Sequence, residues 1–175
     1  MNRLKAIACV DRNYAIGKDN KLLFHIPEDM KFFKDMTTNN VVVMGNNTFK
    51  SMNNKPLANR INVILTSEVK RGIIFDGINT IKTESCGLED YINYILKNTN
   101  KDIFFIGGES IYRNYIYRCD DVYLTHVDES TKDADAHFPI NLLYNYNNEI
   151  LCKSYCREDN NGKIKYWYTI KHWFK

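Results

Sequence analysis

Asp29 stands in the stretch LLFHIPEDMKFFKDM, residues 22–36, where a run of apolar side chains is interrupted by two acids. On a helix opened by Pro27, Asp29 shares a face with Phe32 and Phe33, at i+3 and i+4, whereas Glu28 points elsewhere. Phe24 and Ile26 lie just upstream. A carboxylate bordered by aromatic rings loses water, which raises its pKa and makes its charge costly unless a partner satisfies it. Lys34 is five residues on and off that face, so no neighbouring cation in the sequence serves. A ligand offering paired N–H donors would. Glu28 needs only the simpler account of an acid in a helix's first turn, near the positive end of the dipole; Asp29 is open to that account too.

A second kind of chemistry is written in glycines. VVVMG runs into Asn46-Asn47-Thr48, and DIFFI runs through Gly107-Gly108 into Glu109. A strand that feeds a helix through glycine lets backbone N–H groups approach an anion. Each turn alone has a plainer explanation, a permissive φ at Gly107-Gly108 and a cap at Thr48. Two of them in one sheet, with Thr66-Ser67 ending a third strand, suit an extended ligand carrying a diphosphate. Neither GxGxxG nor GxxxxGK[ST] occurs, so the dinucleotide fingerprint and the P-loop do not apply.

The elements that must position these residues are short. Apolar, β-branched runs at 4–10, 41–45, 62–66, 102–108 and 121–127 predict strands buried on both faces. Helical patterns fall at 27–37, 47–53, 87–97 and 109–116. EILCKSYCRED and KIKYWYTIKHW flank Asn160-Asn161-Gly162, a strong hairpin signal. The fold class implied is α/β: a mainly parallel central sheet, helices on both faces, and a C-terminal antiparallel hairpin. A length of 175 residues suits one domain over 1–175.

Composition narrows the partners. A net charge of +3 from 24 basic and 21 acidic residues suits small anionic ligands and lacks the basic stripe of a nucleic-acid binder. Cys9, Cys86, Cys119, Cys152 and Cys156 form no CxxC and no finger spacing, so neither a disulfide framework nor a metal site is expected. The start MNRLKAIACV is too short in apolar residues for a signal peptide, and no stretch approaches a membrane span. A soluble, cytoplasmic protein with no membrane partner is the expectation.

Taken together, "AIACVDRNYAIGKDNKLLFHIPEDMKFFK", "VVVMGNNTFKSM", "PLANRINVILTS", "IFFIGGESIY", "VYLTHV" and "DAHFP" resemble the dihydrofolate reductase family, in its order and spacing, over nearly the whole chain. The resemblance implies a monomer that reduces 7,8-dihydrofolate to tetrahydrofolate with hydride from NADPH, serving one-carbon metabolism and thymidylate synthesis. It implies that Asp29 accepts hydrogen bonds from the pterin 2-amino group and N3–H, with Thr125 supporting it and Leu22 in a mobile loop over the nicotinamide. Ile7, Cys9, Phe24, Met30, Phe33, Met52, Leu57, Ile106 and Tyr112 match the substrate walls, and Arg60 the grip on the glutamyl carboxylate. Ala8, Cys9, Ile16, Gly17, Asn20, Gly45, Asn46, Asn47, Thr48, Thr66, Ser67 and Lys82 match cofactor positions. So do Ile106, Gly107, Gly108, Glu109, Ser110, Ile111 and Tyr112.

The sequence departs from the family's pattern in places. Phe24 stands where Trp is usual and Leu23 where Pro is usual; Asn46 replaces an Arg or Lys, and Ser110 an Arg present in some members. Both basic positions help hold cofactor phosphates, and Ser67, Asn47, Lys70, Arg71 or Lys82 could compensate. Two alternatives follow: a catalytically silent homologue serving as a pterin-binding or assembly module, and a same-fold pyrimidine reductase of riboflavin synthesis. Asp29 and Arg60 favour folate. His126 and His137 read as packing or hydrogen-bonding residues, His25 as a surface-loop residue, Cys9 as a small buried thiol, and Tyr166, Trp167, Tyr168 and Trp173 as packing aromatics.

Overall fold

The structure, a computed structural model, describes residues 3–68, 73–75, 79–157 and 164–175. In chain order come β1 (Leu4–Val10), β2 (Ala15–Lys18), β3 (Lys21–Leu22), α1 (Pro27–Thr37), β4 (Val41–Gly45), α2 (Asn46–Ser51) and β5 (Ile61–Leu65). There follow β6 (Ile73–Phe75), β7 (Thr80–Thr83), α3 (Ser85–Asn98), β8 (Ile103–Gly107), α4 (Glu109–Tyr115) and β9 (Asp121–Val127). The last strands are β10 (Ala136–His137), β11 (Asn147–Arg157) and β12 (Ile164–Phe174).

Among the described residues, nine strands form the main sheet in the order β11-β12-β9-β1-β8-β4-β5-β7-β6. The pairs from β9 through β7 are parallel, and the C-terminal hairpin adds antiparallel strands beside β9. The expected architecture is therefore present. Asn160-Asn161-Gly162, the turn read from the sequence, lies outside the described residues, as do Lys70 and Arg71.

Strand alternation divides the interior. Leu4, Ala6 and Val10 face one side of the sheet with Val41, Val43, Ile103 and Phe105, under Leu88 and Ile92 of α3 and Ile111 of α4. Ile7, Val42, Met44 and Phe104 face the other, under Phe32 and Phe33 of α1 and Phe49 of α2. This period of two explains why continuous apolar runs were needed: both faces are covered. Phe104 is 1% exposed, and truncating such a ring costs about 3–5 kcal/mol.

Three features were not legible in advance. β7 is a short, partly polar TIKT, and β6 pairs antiparallel at the far edge. A second sheet, β10-β2-β3, draws two of its strands from the region around Leu22 read as a mobile loop. Its hairpin turns at Asp19-Asn20 with φ of 50° and 58°, the two positive values a tight type I′ connection needs. Asp11, fully buried, secures the segment: Oδ1 accepts from the N–H groups of Asn13 (2.7 Å) and Ala15 (2.9 Å), and Oδ2 from Thr131 (2.7 Å).

Candidate functional site

α1 begins at Pro27 in the first helical turn, preceded by Ile26 in extended conformation, with Glu28 and Asp29 in that turn. Proline has no N–H to lose there, and its fixed φ suits the helix. Ile26 is 1% exposed, packing with Val127, Tyr168 and Ile170, and so fixes where the helix starts. Glu28 is exposed; Asp29 turns inward.

Asp29 meets two strands. Thr125 Oγ1 of β9 donates to Asp29 Oδ1 at 2.5 Å, and Cys9 of β1 is Thr125's direct partner in the strand register. Burial pushes the Asp29 carboxyl above its ordinary value, while the Thr125 hydroxyl and then the neighbouring Cys9 thiol pull it back toward the ionised form. The group is thus a partly desolvated acceptor whose hydrogen-bond partner, the Thr125 hydroxyl, is a donor.

Apolar side chains line the elements that carry it and its partners. Phe33, Met52, Leu57 and Ile106 pack on the cluster containing Ile7, and Phe24 packs beside Cys9 and Ile26. Phe24, at the position of the departure from the family, meets Tyr166 edge-on with ring centroids 5.2 Å apart. Arg60 is 8% exposed rather than a solvated loop residue. Its Nε donates to the Ala58 carbonyl at 3.0 Å, its Nη1 to Thr37 Oγ1 at 3.0 Å, and its guanidinium carbon lies 5.8 Å from the Phe33 ring centre. This leaves Nη2 for a carboxylate at the margin of the apolar walls.

The glycine turns converge at the carboxyl ends of β4 and β8. Gly107 has φ +132°, a conformation that glycine adopts readily and L side chains rarely do. A Cβ there would lie 3.5 Å from Thr48 Oγ1 and 3.6 Å from Tyr112 Oη, and one on Gly108 would lie 3.4 Å from Thr48 Oγ1. On Gly45 it would lie 3.6 Å from Ile111 Cγ1. Tyr112 Oη donates to the Ile7 carbonyl at 2.8 Å, linking this cradle to the strand that carries Cys9. A backbone cradle cleared of side chains fits close approach by a phosphate-bearing ligand.

Around the cradle, Asn46 Nδ2 donates to Glu68 Oε1 at 3.2 Å, and Lys50 Nζ lies 3.7 Å from the same atom. Thr66 is buried and its hydroxyl accepts from the Glu68 N–H at 3.2 Å. Asn47, Ser67 and Ser110 are exposed, and Lys82 is half-buried. Glu109 is turned to partners within the chain, accepting from the His137 N–H at 2.8 Å and from Arg113. Ala8 and Ile16 pack on the core; Gly17 and Asn20 belong to the small hairpin.

Two predicted residues stay apart. Leu22 is 71% exposed on β3, and Met30 is 42% exposed because one helical step from Asp29 carries it around to the outside. Lys50, Glu68 and Asp11 were missed. Lys50 is four residues beyond Asn46, a spacing that places both on one face of a helix. His126 is a packed residue, meeting Tyr14 edge-on at 5.6 Å; burial, then Lys171, lowers its pKa to about 4 and keeps it neutral. A depression of about 370 Å³ lined by His126, Arg12, Lys153, Trp167 and Lys171 contains none of the residues gathered around Asp29.

A sequence model described as dihydrofolate reductase matches residues 3–173. The dihydrofolate reductase of Buchnera aphidicola (subsp. Acyrthosiphon pisum) is 35% identical over 145 residues, covering 82% of this chain and 83% of its own length. That of Haemophilus influenzae is 32% identical over 133 residues, 76% of each chain. A solved structure, the Enterococcus faecalis dihydrofolate reductase complexed with NADP(H) and RAB-propyl, superposes with a TM-score of 0.79 at 28% identity. The superposition covers 98% of this chain and 95% of that one.

Proposed function

This chain belongs to the dihydrofolate reductase family, and we propose that it reduces 7,8-dihydrofolate to 5,6,7,8-tetrahydrofolate with NADPH. The observation that carries the reading is the inward Asp29 carboxylate, held by Thr125 and bordered by apolar walls beside a side-chain-free cradle.

Each part has a task. Asp29 accepts two hydrogen bonds from the pterin 2-amino group and ring N3–H, which orients the ring and offsets the carboxylate's desolvation. Thr125 fixes the carboxylate's rotation by donating to Oδ1. Ile7, Phe33, Met52, Leu57 and Ile106 exclude water from the ring faces. Arg60 takes the carboxylate of the glutamyl tail. Gly45, Thr48, Gly107 and Gly108 admit the cofactor's phosphates, and Tyr112 keeps the Ile7 carbonyl in place. NADPH, when bound, supplies the hydride for pterin C6; water brings the proton to N5 while Asp29 polarises the ring. Positioning two flat rings face to face supplies much of the rate.

The reading extends to a monomer with small-molecule partners, working in a reducing compartment where its five free thiols persist. The retained pairing of Asp29 with Thr125 disfavours a silent homologue.

Initial rates of NADPH oxidation with dihydrofolate test it, with NADH as the comparison and Asp29→Asn as the variant. NADPH turnover that falls by about 10²–10⁴-fold in the variant supports the assignment, the range typical of a lost proton-handling or orienting group. No turnover with either cofactor would overturn it.

A further inference from the structure

We propose that the depression over β9, β12 and β11 is a second ligand site, one that takes an aromatic phosphomonoester the size of a nucleoside monophosphate. It shares no residue with the group around Asp29, so it stands independently of the reductase reading.

Strand register brings the parts together. Lys153 of β11, Thr169 of β12 and His126 of β9 are direct partners across three antiparallel strands, and directly paired side chains share a face. Trp167 and Lys171 stand two residues to either side of Thr169, on that same face and each about 7 Å along the strand from it. All five line a depression of about 370 Å³, together with Arg12 and Asp128. A phosphate over Thr169 has Lys153 across the strand pair and Lys171 beside it. A ring joined to that phosphate through a sugar reaches Trp167.

These side chains are unspent within the fold. Lys153 and Lys171 make no ion pair among the described residues, whereas Arg12 Nε and Asp128 Oδ1 engage each other at 2.7 Å. Arg12 thus cancels Asp128, and the two lysines set the sign of the depression. Trp167 is 55% exposed, unlike the packing aromatic expected from sequence, and Tyr155 braces it edge-on at 5.3 Å. An exposed indole of this kind offers a base a stacking face. His126 Nε2 is a buried polar atom with no hydrogen-bond partner among the described residues, and such an atom calls for one. Burial and then Lys171 keep that imidazole neutral, so with its proton on Nε2 it can donate to a phosphate oxygen.

The test is calorimetric titration of the full chain with UMP, uridine and inorganic phosphate, in the wild type and in Trp167→Ala, Lys153→Gln, Lys171→Gln and Lys171→Arg. UMP should bind the wild type, with uridine and phosphate each weaker by about tenfold or more, because each lacks half of the contacts. Trp167→Ala should weaken UMP by about tenfold through lost stacking. Each Gln variant should weaken it by about three- to tenfold, and Lys171→Arg, which keeps the charge, should stay near the wild type. Unchanged circular dichroism shows that each variant is folded. A wild type that does not bind UMP would overturn the proposal. So would UMP affinity that none of the substitutions alters, since the nucleotide would then sit elsewhere, the glycine cradle included. Phosphate binding as tightly as UMP would overturn it too, by removing the aromatic half of the site.

Discussion

Around Asp29 the chemistry is carried by side chains, whereas at the ends of β4 and β8 it is carried by backbone and by the space that missing side chains leave. In the first region a carboxylate and a hydroxyl from two elements meet at hydrogen-bond distance, with a thiol on the strand beside them. In the second, three glycines keep Thr48, Ile111 and Tyr112 at a distance from the chain. The first kind of site tolerates no change of functional group. The second depends on the positive φ at Gly107, which a side chain strains. Their vulnerabilities therefore differ: one should fail in binding geometry and pH dependence, the other in backbone strain and cofactor affinity.

Gly107→Ala probes that difference most severely after Asp29→Asn. At φ +132° an alanine is strained by about 1–3 kcal/mol, its Cβ coming into contact with Thr48 and Tyr112 at the phosphate cradle. We expect a melting temperature several degrees lower, a KM for NADPH raised about tenfold (about 1.4 kcal/mol), and a KM for dihydrofolate changed much less. Equal effects on both KM values would mean that the two regions are not separable.

Asn46→Arg is a smaller change in the opposite direction. The present Asn46 is engaged with Glu68, and Lys50 is the cation beside them. A new guanidinium there should raise kcat/KM for NADPH over NADH by about tenfold, consistent with one charged hydrogen bond of about 1.5–3 kcal/mol reduced by solvent. Measured cofactor ratios identical to the wild type would place the 2′-phosphate elsewhere.

The subtlest test is of stability. Burial raises the folded-state pKa of Asp29 above the ordinary 3.8. The native protein therefore holds that proton to higher pH than the unfolded chain does, and Asp29's contribution to stability is lost as pH rises through its folded pKa. Thermal unfolding of Asp29→Asn against wild type should show a difference that is flat below about pH 4 and shifts in the variant's favour above it. A pH-independent difference would mean that Thr125 and Cys9 fully offset the burial.

How far the sequence reached can be judged from particular elements. Strands β1, β4 and β9 and helix α1 were legible to the residue, because continuous apolar runs and a helix opened by Pro27 have few other solutions. β7 and the β10-β2-β3 sheet were not, since four residues or fewer carry too little periodicity to register. Arg60 was assigned by family likeness alone; its burial against Phe33 and Thr37 depends on contacts 23 residues apart or more.

Asp29 was conspicuous in one dimension, because an acid among aromatics is a chemical anomaly wherever it occurs. What it meets was not. The sequence by itself determined the residue types, the alternation that builds a sheet covered on both faces, and the glycines that keep two turns open. Only the tertiary structure decided that Cys9 and Thr125, more than a hundred residues apart, would stand side by side beneath Asp29. The physical reason is that strand register is set by the packing of the whole sheet, and a shift of one residue would break this pairing and turn a side chain to the other face.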